Sequence, residues 1–554
     1  MRITRGITRR PRRHLLALVG LAVVGLFAFA ACSGDNTDDG STASSGGTAG
    51  AGGSPKSGGT LVIGMSAANI PVPDTAPTEG YEGYRFVGFQ LYDGLVNWDP
   101  KNGVDNVTTT KPALAESWSV SDDRLTWTFK IRPGVTFHDG TPVDAAALQF
   151  GYDRILNKNF EFYNTTVASG IAGFGLTAGI AWYKASEAMT FQITTAAPDS
   201  FLLEKIAHVL IPSPAQVKKL GDKFLTQPVG SGAFMFKSLT PGQSMTMTRN
   251  PNYWGDKANV DEVILRPMPE PSTRLAALRS GEVDWAETPP PESRASLEGS
   301  GFQVFLKEYP HAWPWEFDFF TKEANDPIGN KLVRQALNYA IDRESLCKDL
   351  LNGVCKAAFA YVYPGHPWYG TEVKPYSYDP NKAKDLLKQA GYPNGFKMTV
   401  ITSASGSGQM WPPQMNDFIA QNLKAIGVDL TINVQEWNSL ITSYVTKDWG
   451  GAEANNVSLA FMDPSQFVGP FQSQLSLTGY SNGELDKLFA QAAAEFDKPK
   501  QHAILQKAHA VLVDDAPWLF IVHDLNLRAM APYVKGFVPN QSWFADLTTI
   551  YIDK

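Results

Sequence analysis

Few residues of this chain have the type and spacing that covalent chemistry requires. Its eight histidines are scattered, none paired at metal-ligand spacing on one helix, and no HExxH, GxSxG, P-loop or GxGxxG pattern stands after a strand. In Thr136-Phe137-His138-Asp139-Gly140 a histidine stands beside an aspartate, as acid–base chemistry could use. Adjacent side chains rarely converge on one substrate atom, and a turn between a strand and a capped helix accounts for the segment. Cys347 and Cys355 flank Leu350-Leu351-Asn352-Gly353 with no His or basic cluster to lower a thiol pKa. A local disulfide and two free thiols both stay open. The expectation is a protein that is not an enzyme and carries no metal or cofactor.

What the sequence offers instead is aromatic surface. Fourteen Trp, 19 Tyr and 31 Phe include clusters on Pro-rich stretches: Trp313-Pro314-Trp315, Tyr361 to Tyr369, and Met410-Trp411-Pro412-Pro413. Most such rings pack cores, but tryptophans on connections can line a cleft that holds amphipathic ligands by stacking and burial. The candidate ligand-binding residues are Trp313, Trp315, Gln409, Trp411, Asn416, Phe461, Met462 and Asp463.

The elements that must position these residues alternate along the chain. Gly59 to Met65 reads as a buried strand, and Ser121 to Arg124 as the turn of a hairpin whose Leu125, Trp127, Phe129 and Ile131 face inward. Asp144 caps a helix through Leu156. Further helices are expected over Pro271–Ser280, Lys331–Asn352 with a break near Asp342, Lys382–Ala390, Asp417–Ile426 and, as a pair, Asn482–Asp514. Strands are expected over Val263–Met268, Val428–Val434 and Trp518–His523. The class is α/β.

With 554 residues, 43% hydrophobic and 19% charged, the chain has material for large cores. A net charge of -7 and no basic stretch in the body exclude a nucleic-acid footprint. The basic residues concentrate at the start, where six arginines fall before His14, followed by the apolar run Leu15 to Ala31. This is the build of an export signal, expected over 1–31. Ser33 to Gly58 is Gly, Ser, Thr, Ala and Asp almost throughout, so 32–58 is expected to be a flexible tether.

Two resemblances sharpen these readings. Phe29-Ala30-Ala31-Cys32 resembles the lipobox of bacterial lipoproteins, which implies acylation of Cys32 and anchoring to the outer face of the bacterial cytoplasmic membrane; twin-arginine and general export both remain open. Leu114-Ala115-Glu116-Ser117-Trp118, the run Phe129 to Val143 with its Thr136-Phe137-His138-Asp139-Gly140, Gly230-Ser231-Gly232-Ala233-Phe234, Arg249 to Trp254, Ala277 to Asp284 and Val333 to Arg343 resemble, in order, the signature of the family 5 solute-binding proteins of ABC importers.

That resemblance implies a two-lobed periplasmic-binding-protein-like fold that closes on its ligand by a hinge. Lobe I would comprise 59–300 plus 527–554, with a subdomain inserted at about 85–215, and lobe II 301–526. The expected function is delivery of oligopeptides, by a monomer, to an ABC permease with its ATPase. An oligosaccharide or other neutral amphipathic ligand is the alternative, and a surface signalling or chaperone lipoprotein the alternative of another class. Peptide-binding relatives pair the α-amine with an acid about three residues before an Asp-Pro, here Asp463-Pro464, where this chain has Ala460. Some also place an arginine before the helix near Gln414, yet Thr399 to Leu423 holds neither Arg nor Lys. A zwitterionic dipeptide would therefore leave unpaired buried ends, which is costly, whereas longer peptides could keep theirs solvated.

Overall fold

The β-branched run after Gly59 becomes the strand Thr60–Met65, whose Leu61, Ile63 and Met65 have no exposed surface. These three line one face, and Val62 on the other is half-buried against a smaller cluster with Leu278 and Ala286, so the strand is covered on both sides as a parallel strand in an α/β sheet requires. Thr60–Met65 pairs in parallel with Glu262–Pro267 and with Trp285–Glu287. The computed structural model in which this is seen describes residues 56–99, 110–173, 175–307, 311–322, 326–406, 409–460, 464–539 and 544–554.

Seven strands make the first sheet, in the order Gln303–Phe305, Arg528–Met530, Trp285–Glu287, Thr60–Met65, Glu262–Pro267, Ser244–Arg249, Phe234–Thr240. The chain thus returns near its C-terminus to add a strand to the sheet it began, and Gln303–Phe305 carries that sheet a few residues beyond 300. The second sheet runs Cys355–Ala357, Trp518–Asp524, His311–Phe317, Ala454–Asn456, Lys397–Ser403, Asp429–Gln435, and Leu459–Ala460 pairs with the start of His311–Phe317. All seven positions of Trp518–Asp524 are buried. Two crossings join the sheets, after Phe305 and after Asp524, and they lie side by side: Lys307 N donates to Leu525 O at 2.8 Å. Asn526, in the second crossing, takes the left-handed conformation with φ 54°.

A third sheet, four-stranded and antiparallel, is built from Ala115–Val120, Thr126–Ile131, Thr190–Thr195 and Ile180–Glu187. Its first two strands form the expected hairpin, and Trp127, Phe129 and Ile131 are buried. The helix Ala145–Leu156 packs beside it, capped as expected by Asp144, which accepts from Ala147 N at 2.8 Å. This sheet shares an apolar core with one face of the first, whose other face carries a smaller cluster around Leu278 and Ala286, and the second sheet likewise has a core on each face.

Helix ends differ from expectation where turn chemistry outweighs periodicity. The helix expected from Asp417 begins at Pro412, because a proline in the first turn forgoes only an N–H that has no intrahelical acceptor. The break near Asp342 is real: the helix Lys331–Tyr339 closes at Ala340, and the Asp342 carboxylate accepts from Ser345 N at 3.1 Å to start the next turn. The helix Trp437–Thr446 was not foreseen from the sequence; Glu436 caps it, accepting from Asn438 N at 2.9 Å and Ser439 N at 3.2 Å.

Candidate ligand-binding site

Trp313 and Trp315 are two residues apart on one strand and so share a face, which lies in a core of the second sheet with no exposure of either ring. Trp313 Nε1 donates to Gln409 Oε1 at 2.9 Å and Trp315 Nε1 to Asn416 Oδ1 at 2.7 Å. Asn416 Nδ2 in turn donates to Thr402 Oγ1 at 3.1 Å and to Pro412 O at 2.8 Å, and Asn456 Nδ2 to Pro314 O at 2.7 Å. Trp411 is half-buried against the same core. The structure therefore assembles five of the residues singled out above, but Trp313, Trp315 and Asn416 are turned into the protein, with their polar atoms engaged by one another. They brace the 402–416 segment and offer no stacking face. Gln409 differs, since its Nε2 is buried without a partner. Phe461, Met462 and Asp463 lie outside the described residues, as do Cys32 and the tether residues before 56.

The 402–416 segment meets the first sheet at a seam. Ligands of open α/β sheets bind beyond the carboxyl ends of parallel strands, and the carboxyl end of Thr60–Met65 carries Ser66. Ser66 N and Oγ donate to Glu82 Oε1 and Oε2 at 2.8 and 2.7 Å, and Ser66 Oγ lies 3.3 Å from Gly406 O across the seam. Gly406 has φ 139°, and a side chain there would enter the Trp437 ring, 2.6 Å from its nearest atoms. From the residue after Trp437, Asn438 Nδ2 donates back across the seam to Glu79 Oε1 at 3.2 Å. Four polar atoms on these converging segments are buried without a partner: Glu79 Oε2, Ser403 Oγ, Gln409 Nε2 and Trp437 Nε1. Such orphans are uncommon because each costs its full desolvation, about 1–3 kcal/mol.

Electrostatics distinguish the two acids of the seam. Glu82, fully buried, is pushed up first by burial and then by Glu287, and is held down by Arg85 and the Ser66 bonds. Behind it Arg85 pairs with Glu287 at 2.6 Å, Arg528 with Glu287 at 3.1 Å, and Arg274 Nε donates to Glu287 O at 2.6 Å. Glu79 is pushed up to about 7 by burial, with Glu82 and Glu436 adding to the rise and the Asn438 bond opposing it. Neither acid was singled out from the sequence. The signal present there was Glu79-Gly80-Tyr81-Glu82-Gly83, acids interleaved with glycines, and Gly83 is required because a Cβ would run into Thr78 O.

The motif residues lie elsewhere and hold the scaffold. His138, half-buried and lowered to about 4 by burial, accepts at Nδ1 from Gly230 N at 3.3 Å and places Nε2 3.0 Å from Gly232 O. Asp139 accepts from Ser213 Oγ at 2.6 Å. Asp93 gathers Ser231 Oγ at 3.1 Å, Trp254 Nε1 at 3.0 Å, Tyr253 OH at 3.2 Å and Asn97 Nδ2 at 3.2 Å. A side chain at Gly232 would run into Gln90 O. His138 and Asp139 thus form the turn expected of them, tied to the Gly230–Gly232 loop. Cys347 and Cys355 are joined by a disulfide, with Cα atoms 5.4 Å apart.

The model of the bacterial extracellular solute-binding proteins, family 5 Middle, matches residues 109–479. Among curated proteins, a glutathione-binding protein GsiB of Escherichia coli is 29% identical over 468 residues, covering 81% of this chain and 86% of that one. Heme-binding protein A of Haemophilus influenzae is 28% identical, covering 82% and 85%. Among solved structures, the periplasmic binding protein DppA of Helicobacter pylori in complex with the peptide STSA superimposes with a TM-score of 0.78 at 28% identity, covering 90% of this chain and 99% of that one.

Proposed function

Because the chain belongs to the bacterial extracellular solute-binding proteins of family 5, we propose that it captures oligopeptides outside the cell and delivers them to an ABC permease and its ATPase. Two lobes, 59–300 plus 527–554 and 301–526, close over the ligand, with the subdomain at about 85–215 riding on the first. The adjacent crossings after Phe305 and Asp524 are the hinge, since short paired connections let two sheets rotate with few dihedral changes. Closure binds ligand better than the open state does, and the importer reads the shift in population. Cys32 carries the lipid, the Gly/Ser-rich tether gives the lobes reach from the outer face of the membrane, and the protein works as a monomer without catalysis.

The observation that carries this reading is the seam, where buried donors and a carboxylate oxygen stand unpaired between the sheets. An extended peptide supplies complementary carbonyl and N–H groups, and main-chain bonding gives affinity without side-chain selectivity. The DppA structure holds a peptide and GsiB is named for glutathione, itself a peptide. The test is a thermal-shift titration of the chain from Cys32 onward in detergent, against peptides of two to five residues and a matched oligosaccharide panel. Ligand at a hundred times its Kd stabilises by about 2.7 kcal/mol. Shifts with peptides of three or more residues support the reading, and shifts with sugars alone sink it.

A further inference from the structure

We propose that Glu79 is the counter-charge for the ligand's ammonium group, so that the transported compounds carry a free amine next to carbonyl groups and need no carboxylate. This rests on the peptide-capture reading and deepens it. The residue that stands three before Asp463 is Ala460, so a lobe II acid is missing from that position. On the other side of the seam Glu79 is only 4% exposed, yet its Oε2 has no partner. A buried carboxylate oxygen with nothing to accept is expensive, and an incoming ammonium removes that cost.

The other unpaired groups independently specify what lies beside the ammonium. Trp437 Nε1 is a donor only, Gln409 Nε2 is a donor because its Oε1 is taken by Trp313, and the Ser403 hydroxyl is free to donate. All three are more than nine-tenths buried. Gln409 N donates to Gly406 O at 3.1 Å, Ser403 ends the strand that leads to Gly406, and the Trp437 ring covers Gly406. One anionic acceptor and three neutral donors on segments that meet at Gly406 match an ammonium followed by carbonyl oxygens. That is the N-terminal end of a peptide or aminoacyl compound. Neutral sugars offer no cation for Glu79, and the stretch Thr399 to Leu423 offers no cation for a carboxylate.

The charged groups that act on Glu79 are Glu82 from its own turn and Glu436 from the facing helix cap, both acidic, with Asn438 as its bonded donor; Arg85 and Arg274 act on Glu82. Capture therefore requires Glu79 to be ionised while the ligand amine is protonated. With Glu79 at about 7 and an α-amine near ~8, affinity passes through a maximum between those values.

The experiment is isothermal titration of the wild-type chain, Glu79→Gln and Asp463→Asn with Ala-Ala-Ala and N-acetyl-Ala-Ala-Ala. Acetylation should weaken binding to the wild type by about 100-fold, Glu79→Gln should lose the same factor for the free-amine peptide, and Asp463→Asn should still discriminate. Wild-type affinity for the free-amine peptide should rise several-fold from pH 6 to 7.5, a readout that needs no variant. Equal binding of the two peptides by the wild type, a flat pH profile, or loss of discrimination in Asp463→Asn with retention in Glu79→Gln overturns the role of Glu79 and leaves peptide capture standing. Failure of the wild type to bind either peptide, or any longer peptide, overturns both.

Discussion

The junction around Asp93 and the seam around Gly406 are both buried and polar, but they treat their hydrogen-bonding groups in opposite ways. Asp93 receives four donors from Ser231, Tyr253, Trp254 and Asn97, and His138 ties the neighbouring loop through both ring nitrogens. The seam leaves Glu79 Oε2, Ser403 Oγ, Gln409 Nε2 and Trp437 Nε1 unmet. A satisfied network locks one geometry, and an unsatisfied one keeps free energy in reserve for whatever completes it. Residues of the family motifs therefore build the frame, and the unmet groups of the seam lie outside those motifs.

Breaking the junction should have the largest effect. Asp93→Ala strands four donors, Ser231 buried and Asn97, Tyr253 and Trp254 half-buried, and should cost about 3 kcal/mol, read as a large fall in Tm or loss of soluble protein. Glu79→Gln, which can keep the Asn438 bond and removes a buried charge, should leave stability at neutral pH unchanged or raised while lowering affinity. A matched loss of stability in both variants would erase the contrast. Next comes the disulfide, whose Cys355 pairs with Asp524: with a sequence separation of 8, removing it through Cys347→Ser with Cys355→Ser should cost about 2–3 kcal/mol in denaturant melts.

The smallest effect is pH dependence. His138, His208 and His509 are lowered to about 4 by burial, so the unfolded chain binds more protons between that value and the ordinary 6.5. Their contribution is complete above about 6.5 and is lost as pH falls towards 4. Glu316, wholly buried in the second sheet with Tyr444 OH donating at 2.9 Å, is pushed up to about 8. The folded state then holds a proton that the unfolded chain has released, so stability is complete below the ordinary carboxyl range and is lost as pH rises through 8. Glu79 acts in the same sense up to about 7. Tm should peak near pH 6.5 (~6.5 from these limits), and Glu316→Gln should flatten the alkaline limb. A Tm that climbs from pH 6.5 to 8 contradicts the assignment for Glu316.

Local chemistry was legible wherever it acts over a few residues. Asp144 capping its helix, Asp342 breaking another, Gly281 at φ 78° after Ser280 and the hairpin ending at Ile131 follow from neighbours in sequence. The aromatic clusters were visible too, but their direction was not. Trp313 and Trp315 look alike as cleft or core, and only the strand's place in the second sheet turned them inward onto Gln409 and Asn416.

Composition, motif order and turn chemistry alone determined an α/β protein of the solute-binding family, since those signals survive in one dimension. The tertiary structure decided the candidate site. Glu79, Ser66, Gly406 and Trp437 are separated by up to several hundred residues, carry no common spacing and meet because two sheets, joined by two short crossings, bring strand ends face to face. Burial and the absence of a partner are properties of that meeting, and no reading of neighbours along the chain contains them.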